Sequence, residues 1–264
     1  MAIFESLLEE PHPGSHVVQF YEADERVLTR NVVRYCAEGL TRGECALLVT
    51  TPEHAAEFTH ALTARGFEVD RMIHERRIVL LDARQTLNRF LIDGYPDASR
   101  FEAIVGSAVR EALAAFPAGL RAYGEMVGLL WQDGQFPAAV RLEQLWHKLL
   151  EEREFSLFCA YPIDIFTPQF DRGVVDALLS AHTHLFSAGR NGDVEVAVEK
   201  ALGEITGTTL AIRTADMPSG RQTVIPRGEE LILWVRRHFP DRADEILGRA
   251  REIYCGSRTE SALV

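Results

Sequence analysis

Lysine is nearly missing from this chain. Of its 28 basic residues only Lys148 and Lys200 are lysine. Neither follows a glycine: His147 precedes the first and Glu199 the second. A phosphate-binding loop of the form G-x-x-x-x-G-K-[ST] needs that lysine to neutralise the phosphates. P-loop hydrolysis of ATP in its usual form is therefore not expected. Cysteine is also sparse. Cys36, Cys45, Cys159 and Cys255 lie far apart and form no C-x-x-C pair, so neither a zinc knuckle nor a dithiol redox motif is encoded. Buried reduced thiols are the expected state, and no metal site is expected. No apolar run approaches the roughly 20 residues of a membrane span. The first ten residues carry no basic residue and no apolar core, so they do not read as a signal peptide. A cytoplasmic protein without membrane contact is expected.

Other absences concern chemistry. H-E-x-x-H and G-x-S-x-G do not occur, and no nucleophile–base pair is visible. The chain is read as a non-enzyme without a cofactor. The net charge of −11 argues against a general nucleic-acid surface, which needs clustered lysine and arginine. Direct nucleic-acid binding is not expected.

What is present is ordinary globular composition, 47% hydrophobic and 25% charged over 264 residues. That length suits one large domain, or one domain with an appendage. Short apolar strands alternate with amphipathic helices. Strands are expected at residues 16–21 (HVVQFY), 45–50 (CALLVT), 78–82 (IVLLD), 120–123 and 155–161 (FSLFCAY). Thr51-Pro52 reads as the cap and first residue of a helix ending near Gly66. Helical segments are expected near residues 83–91 and 100–116, separated by the turn-rich stretch 93–97. One helical stripe runs through Val175, Leu178, Leu179, His182, Leu185 and Phe186. His182 and His184, two apart on that helix, would face nearly opposite ways and could not share a metal. After a linker at residues 188–192 come a helix near 194–205, a strand at 208–213, a loop through Pro218 and Gly220, and helices at 227–239 and 241–254. Residues 256–264 are expected to fray. The pattern implies a three-layer α/β fold: a mainly parallel sheet flanked by helices, with a small α or α+β extension at the C-terminus. The domain boundaries are read as 13–186 and 190–264.

In open parallel sheets, ligands bind beyond the carboxyl ends of the strands. Those ends carry Tyr21, Thr50, Thr51, Asp82, Glu125 and Tyr161. His54 and Trp131 join them as candidate ligand-binding residues. Each of these positions is also where a strand stops or a helix is capped, so the plain structural role stands beside the functional one. At the end of the second strand, Thr50-Thr51-Pro52-Glu53-His54 has no glycine. Pro52 lacks an N–H donor, and Glu53 places negative charge where a phosphate would sit at a helix N-terminus. A small anion or polar ligand at that terminus, or an ordinary capped helix, are the two readings. Glu125 could hold a polar ligand or cap the next helix. Trp131, Trp146 and Trp234 could line an apolar cavity, with core packing the better account of Trp146.

Several motifs occur in order. Gly124-Glu125-Met126-Val127 is followed by Leu130-Trp131, Ala138-Ala139, Leu142-Glu143-x-x-Trp146, and residues 155–162 (FSLFCAYP). His16 with Phe20-Tyr21, Gly39-Leu40 with Gly43-Glu44, and Asp82-Ala83 complete the set. Together, over about residues 13–170, they resemble the MEDS (methanogen/methylotroph) sensory domain. His147 departs from the pattern, standing where asparagine is expected. The resemblance implies a RecA- or KaiC-like α/β core with a degenerate nucleotide site. It also implies a domain that senses small molecules, such as hydrocarbon derivatives, and signals to an attached output domain. Neither a helix-turn-helix nor a kinase domain is visible, and the resemblance leaves the tail from Arg190 unexplained.

The leading expectation is a small-molecule-sensing regulatory protein with an unknown ligand, signalling through its C-terminal helices to a protein partner. A nucleotide-binding protein with an altered loop and a pure interaction module are the alternatives. Self-association into a homo-oligomer stays open.

Overall fold

The computed structural model describes residues 8–21, 25–179, 182, 184–186, 192–207 and 225–261. The strands are β1 (His16–Phe20), β2 (Cys45–Thr50), β3 (Ile78–Asp82), a two-residue pair β4 (Leu91–Ile92) and β5 (Tyr95–Pro96), β6 (Leu120–Gly124), β7 (Ser156–Tyr161) and β8 (His184–Phe186). The helices are α1 (Arg26–Thr41), α2 (Pro52–Ala64), α3 (Val69–His74), α4 (Ala83–Phe90), α5 (Ala98–Phe101), α6 (Ser107–Ala115), α7 (Met126–Gln132), α8 (Phe136–Glu152), α9 (Arg172–Leu179), α10 (Asp193–Thr206), α11 (Arg227–His238) and α12 (Ala243–Ser261). A π-helical turn, Glu102–Gly106, joins α5 to α6.

The chain divides into two compact units. The first is Met1–Gln19 with Asp24–Pro162; the second is Phe20–Ala23 with Ile163–Val264. The fold is the three-layer α/β class expected, a six-stranded sheet flanked by helices. Five of the strands belong to the first unit, in the order β3-β2-β6-β7-β1. The β2–β3, β2–β6 and β6–β7 pairs are parallel, with Leu47 opposite both Val79 and Ala122. Gly14 N–H donates to Phe155 O, and Leu157 N–H to Ser15 O, which ties β1 beside β7. β2 runs between two neighbours and beneath helices, so its whole run is buried. Leu47, Leu48 and Val49 are fully shielded from solvent, and each contributes roughly 1.5–3 kcal/mol.

Two close approaches explain glycines. The stem of Arg121 lies against Gly39, where an added Cβ would fall 2.5 Å from Cδ. Helix α7 crosses β7 so closely that a Cβ on Gly128 would fall 2.7 Å from Ala160 O. The Gly39/Gly43/Glu44 motif thus has a local cause. Gly43 takes φ +87 to turn the chain, and Glu44 then pairs with Arg121.

In the second unit, α10 packs against α11 and α12. Val194, Ala197, Val198, Ala201 and Leu202 form the buried face of α10; Ile246, Leu247, Ala250 and Tyr254 form that of α12. Gly228 lets α11 approach Val194. Ion pairs Arg227–Glu195 (2.6 Å), Arg172–Glu230 (2.9 Å) and Arg251–Asp164 (2.9 Å) join its elements at the surface.

Some expectations are corrected. The stripe to Phe186 is not one helix: α9 ends at Leu179 and His184–Phe186 is a strand. Short apolar runs fit either period, and here the run is too short for periodicity to decide. The argument about His182 and His184 on opposite helix faces falls with it. The turn-rich stretch at 93–97 does hold a turn, at the tip of a tight hairpin whose Asp93 and Gly94 both take positive φ (50° and 77°), the backbone a two-residue turn requires. The segment at 100–116 is broken by the π-helical turn, where the Glu102 side chain folds over Gly106. The last helix does not stop at 254 but continues to Ser261. The expected linker at 188–191, the strand at 208–213 and the loop through Pro218 and Gly220 lie outside the described residues.

Candidate functional site

Glu125 directly follows β6, beside the end of β2, where its backbone N–H donates to Val49 O (3.0 Å). Its side chain does not cap its own helix α7. It turns instead to the neighbouring helix. Oε2 accepts the Thr51 N–H at 2.9 Å, and Oε1 accepts the Tyr123 hydroxyl at 2.7 Å and meets His54 Nδ1 at 2.5 Å. The other His54 nitrogen, Nε2, faces Glu25 Oε2 at 2.8 Å. Phe58 stacks on the imidazole and Tyr123 stands edge-on to Phe58, which fixes the ring plane. Both ring nitrogens face carboxylates, so both are donors and the ring is an imidazolium. Burial opposes that charge, but the hydrogen bonds and charges of Glu125 and then Glu25 outweigh it and raise the His54 pKa to about 9. Glu57 stands nearby, accepting from Thr29 Oγ1 at 2.9 Å; Glu25, His54 and Glu57 lie within one metal-sized cluster.

The turn after β2 is thus already filled. Thr51 Oγ1 caps His54 N–H at 3.3 Å, as the sequence indicates, and Glu125 takes the Thr51 N–H. An incoming anion meets carboxylates where a phosphate-binding loop presents N–H groups and lysine.

The remaining candidates separate. Thr50 is buried beside this cluster, and its hydroxyl has no hydrogen-bond partner. Asp82 caps α4, accepting Gln85 N–H at 2.8 Å. Trp131 packs edge-on against Phe136 and Tyr161. Tyr161 is buried and donates to Glu143 Oε1 at 2.5 Å. Tyr21 belongs to the second unit. Trp146 is fully buried against Phe101, and Trp234 stacks on His238 within α11. None of the eight candidates lines the open groove of about 900 Å³ beside β3, which Ile73, Leu80, Ile104, Ala108 and Phe116 help to form.

Sequence reasoning missed Glu25, Tyr123 and Arg121. Glu25 stands just before α1, whose apolar face of Leu28, Val32, Tyr35 and Cys36 marks the helix but gives no signal for the acid ahead of it. Tyr123 and Arg121 sit in a strand otherwise legible only as apolar. The signal for Arg121 was a charge inside a buried run: it is 1% exposed and bonded to Glu44, Leu8 O, Tyr35 O and Glu9 O.

A family model, MEDS (MEthanogen/methylotroph, DcmR Sensory domain), matches residues 15–183, well over half of the chain. The chain belongs to the MEDS family. No curated protein matches it. The MEDS match takes in β1 to β7, the Glu125–His54 cluster and the start of the second unit. No helix among the described residues is long and apolar enough to cross a membrane.

Proposed function

We propose that this MEDS protein is a cytoplasmic sensor of a small neutral or cationic molecule, that it does not hydrolyse ATP, and that it signals to a protein partner through its C-terminal helices. The observation that carries the reading is the seat of Glu125 on the Thr51 N–H, with His54 and Glu25 completing a carboxylate-rich cluster at the strand ends. Such a cluster favours hydrogen-bond donors and cations and disfavours phosphates. The buried Thr50 hydroxyl beside it offers a further polar contact. Membership of a sensory family supports the regulatory half of the reading. The RecA- or KaiC-like ancestry of the core belongs to the same proposal: a nucleotide site converted to other use.

Thermal-shift measurements on the full chain test it. Pools of small alcohols, amines and other hydrocarbon derivatives are expected to contain a stabilising ligand whose effect is lost in Glu125→Gln. ATP, ADP, GTP and inorganic phosphate are expected to leave the midpoint unchanged. Submillimolar nucleotide binding by calorimetry, or no response across broad pools from a folded protein, overturns the reading.

A further inference from the structure

A second cluster of reactive side chains lies in the first unit, apart from the Glu125 site. His16 on β1, Cys159 on β7 and Glu143 on α8 converge in the core, at 1%, 0% and 2% exposure. His16 Nε2 stands 3.3 Å from Cys159 Sγ and 3.4 Å from Glu143 Oε2. The three donor atoms all lie within 4.8 Å of one another. The far oxygen of Glu143 accepts the Tyr161 hydroxyl at 2.5 Å, which fixes the carboxylate's orientation.

We propose that His16, Cys159 and Glu143 ligate a divalent transition metal of the zinc class, with Tyr161 as the outer hydrogen-bond donor. The donor set is imidazole nitrogen, thiolate sulfur and carboxylate oxygen, the three protein ligand types that zinc takes. Bond lengths of about 2.0–2.3 Å at tetrahedral angles place ligand atoms about 3.3–3.6 Å apart. Two of the three edges here have that length before any ion is considered, and the third is no longer than 4.8 Å. Ligating carboxylates are in turn held by outer hydrogen bonds, as Tyr161 holds this one. Burial, and then the Glu143 charge, hold the Cys159 thiol well above its usual pKa, so without metal it keeps its proton. On binding, the metal–sulfur bond replaces the S–H bond and the proton passes to solvent. The site is independent of the sensing proposal, because no residue is shared with the Glu125 cluster.

The test uses the full chain carrying Cys255→Ser, which removes an exposed thiol far along the sequence. Cobalt(II) alone is the probe. The metal-free protein is expected to develop a thiolate-to-cobalt charge-transfer band that saturates at a single equivalent. Cys159→Ser is expected to abolish the band. Glu143→Gln, which keeps the shape of the side chain, is expected to weaken cobalt binding by more than the roughly 10–100-fold cost of an outer-shell change. Metal analysis of protein purified without chelator needs no core variant, and about one metal per chain is expected. A folded protein that carries no metal as purified and shows no band overturns the proposal. So does a band that survives Cys159→Ser.

Discussion

The two ends of β6 hold opposite solutions to buried charge. At its start, Arg121 is enclosed and fully used: Glu44 takes its Nε at 2.5 Å, the carbonyls of Leu8, Tyr35 and Glu9 take its terminal nitrogens at 2.8–2.9 Å, and its guanidinium lies over the Tyr35 ring. At its end, Glu125 shares one imidazolium with Glu25, whose side chain is 43% exposed. The first arrangement is charge-balanced and closed. The second carries an excess of acid and opens toward solvent. A closed cluster anchors a fold, and an open, unbalanced one leaves something for a ligand to change.

The contrast breaks hardest at the closed end. Arg121→Met leaves Glu44 and three carbonyls without their donor, and a loss of roughly 3–5 kcal/mol is expected in urea unfolding. A loss below about 1 kcal/mol would mean that the two ends do not differ in this way. Next comes Glu125→Gln. It is expected to cost about 1–3 kcal/mol near neutral pH, because a charged hydrogen-bond acceptor becomes neutral. The pH dependence carries a definite sign. The folded-state pKa of His54 is raised from 6.5 to about 9, so its stabilising contribution is complete below about pH 6.5 and is lost as pH rises through about 9. Urea midpoints of the wild type should therefore fall across that window. In Glu125→Gln the fall should be smaller and lie at lower pH, with the His54 ring resonances titrating to match. The smallest effect is expected at His147, which is exposed and faces Glu151 at 3.4 Å. His147→Asn restores the expected family residue and should change stability by less than about 0.5 kcal/mol.

The sheet was legible because β2, β3 and β7 are near-continuous apolar runs beside turn residues, and the Thr51-Pro52 start of α2 carries its own cap chemistry. The site was legible in part. Glu125 and His54 were readable from strand-end topology, but their union was not, since they are 71 positions apart and meet only when β2 pairs with β6. His16, Glu143 and Cys159 escaped for a related reason. His16 and Cys159 stand in apolar strands and Glu143 among the charged residues of an amphipathic helix, so each reads locally as ordinary, while metal-binding arithmetic on sequence looks for close spacing. Strand β8 escaped because three residues are too few for a period to show.

The hydrogen bond from Thr51 to Glu125 has a consequence for life in a nucleotide-rich cell. A carboxylate built into the chain competes for that donor intramolecularly, at an effective concentration that free metabolites in solution do not match. To seat a phosphate, the protein would have to evict its own side chain and strip the imidazolium of a counter-ion in the same step. The abundant nucleotides of metabolism would then be background to this protein, and scarcer uncharged or positively charged molecules would be what it can notice.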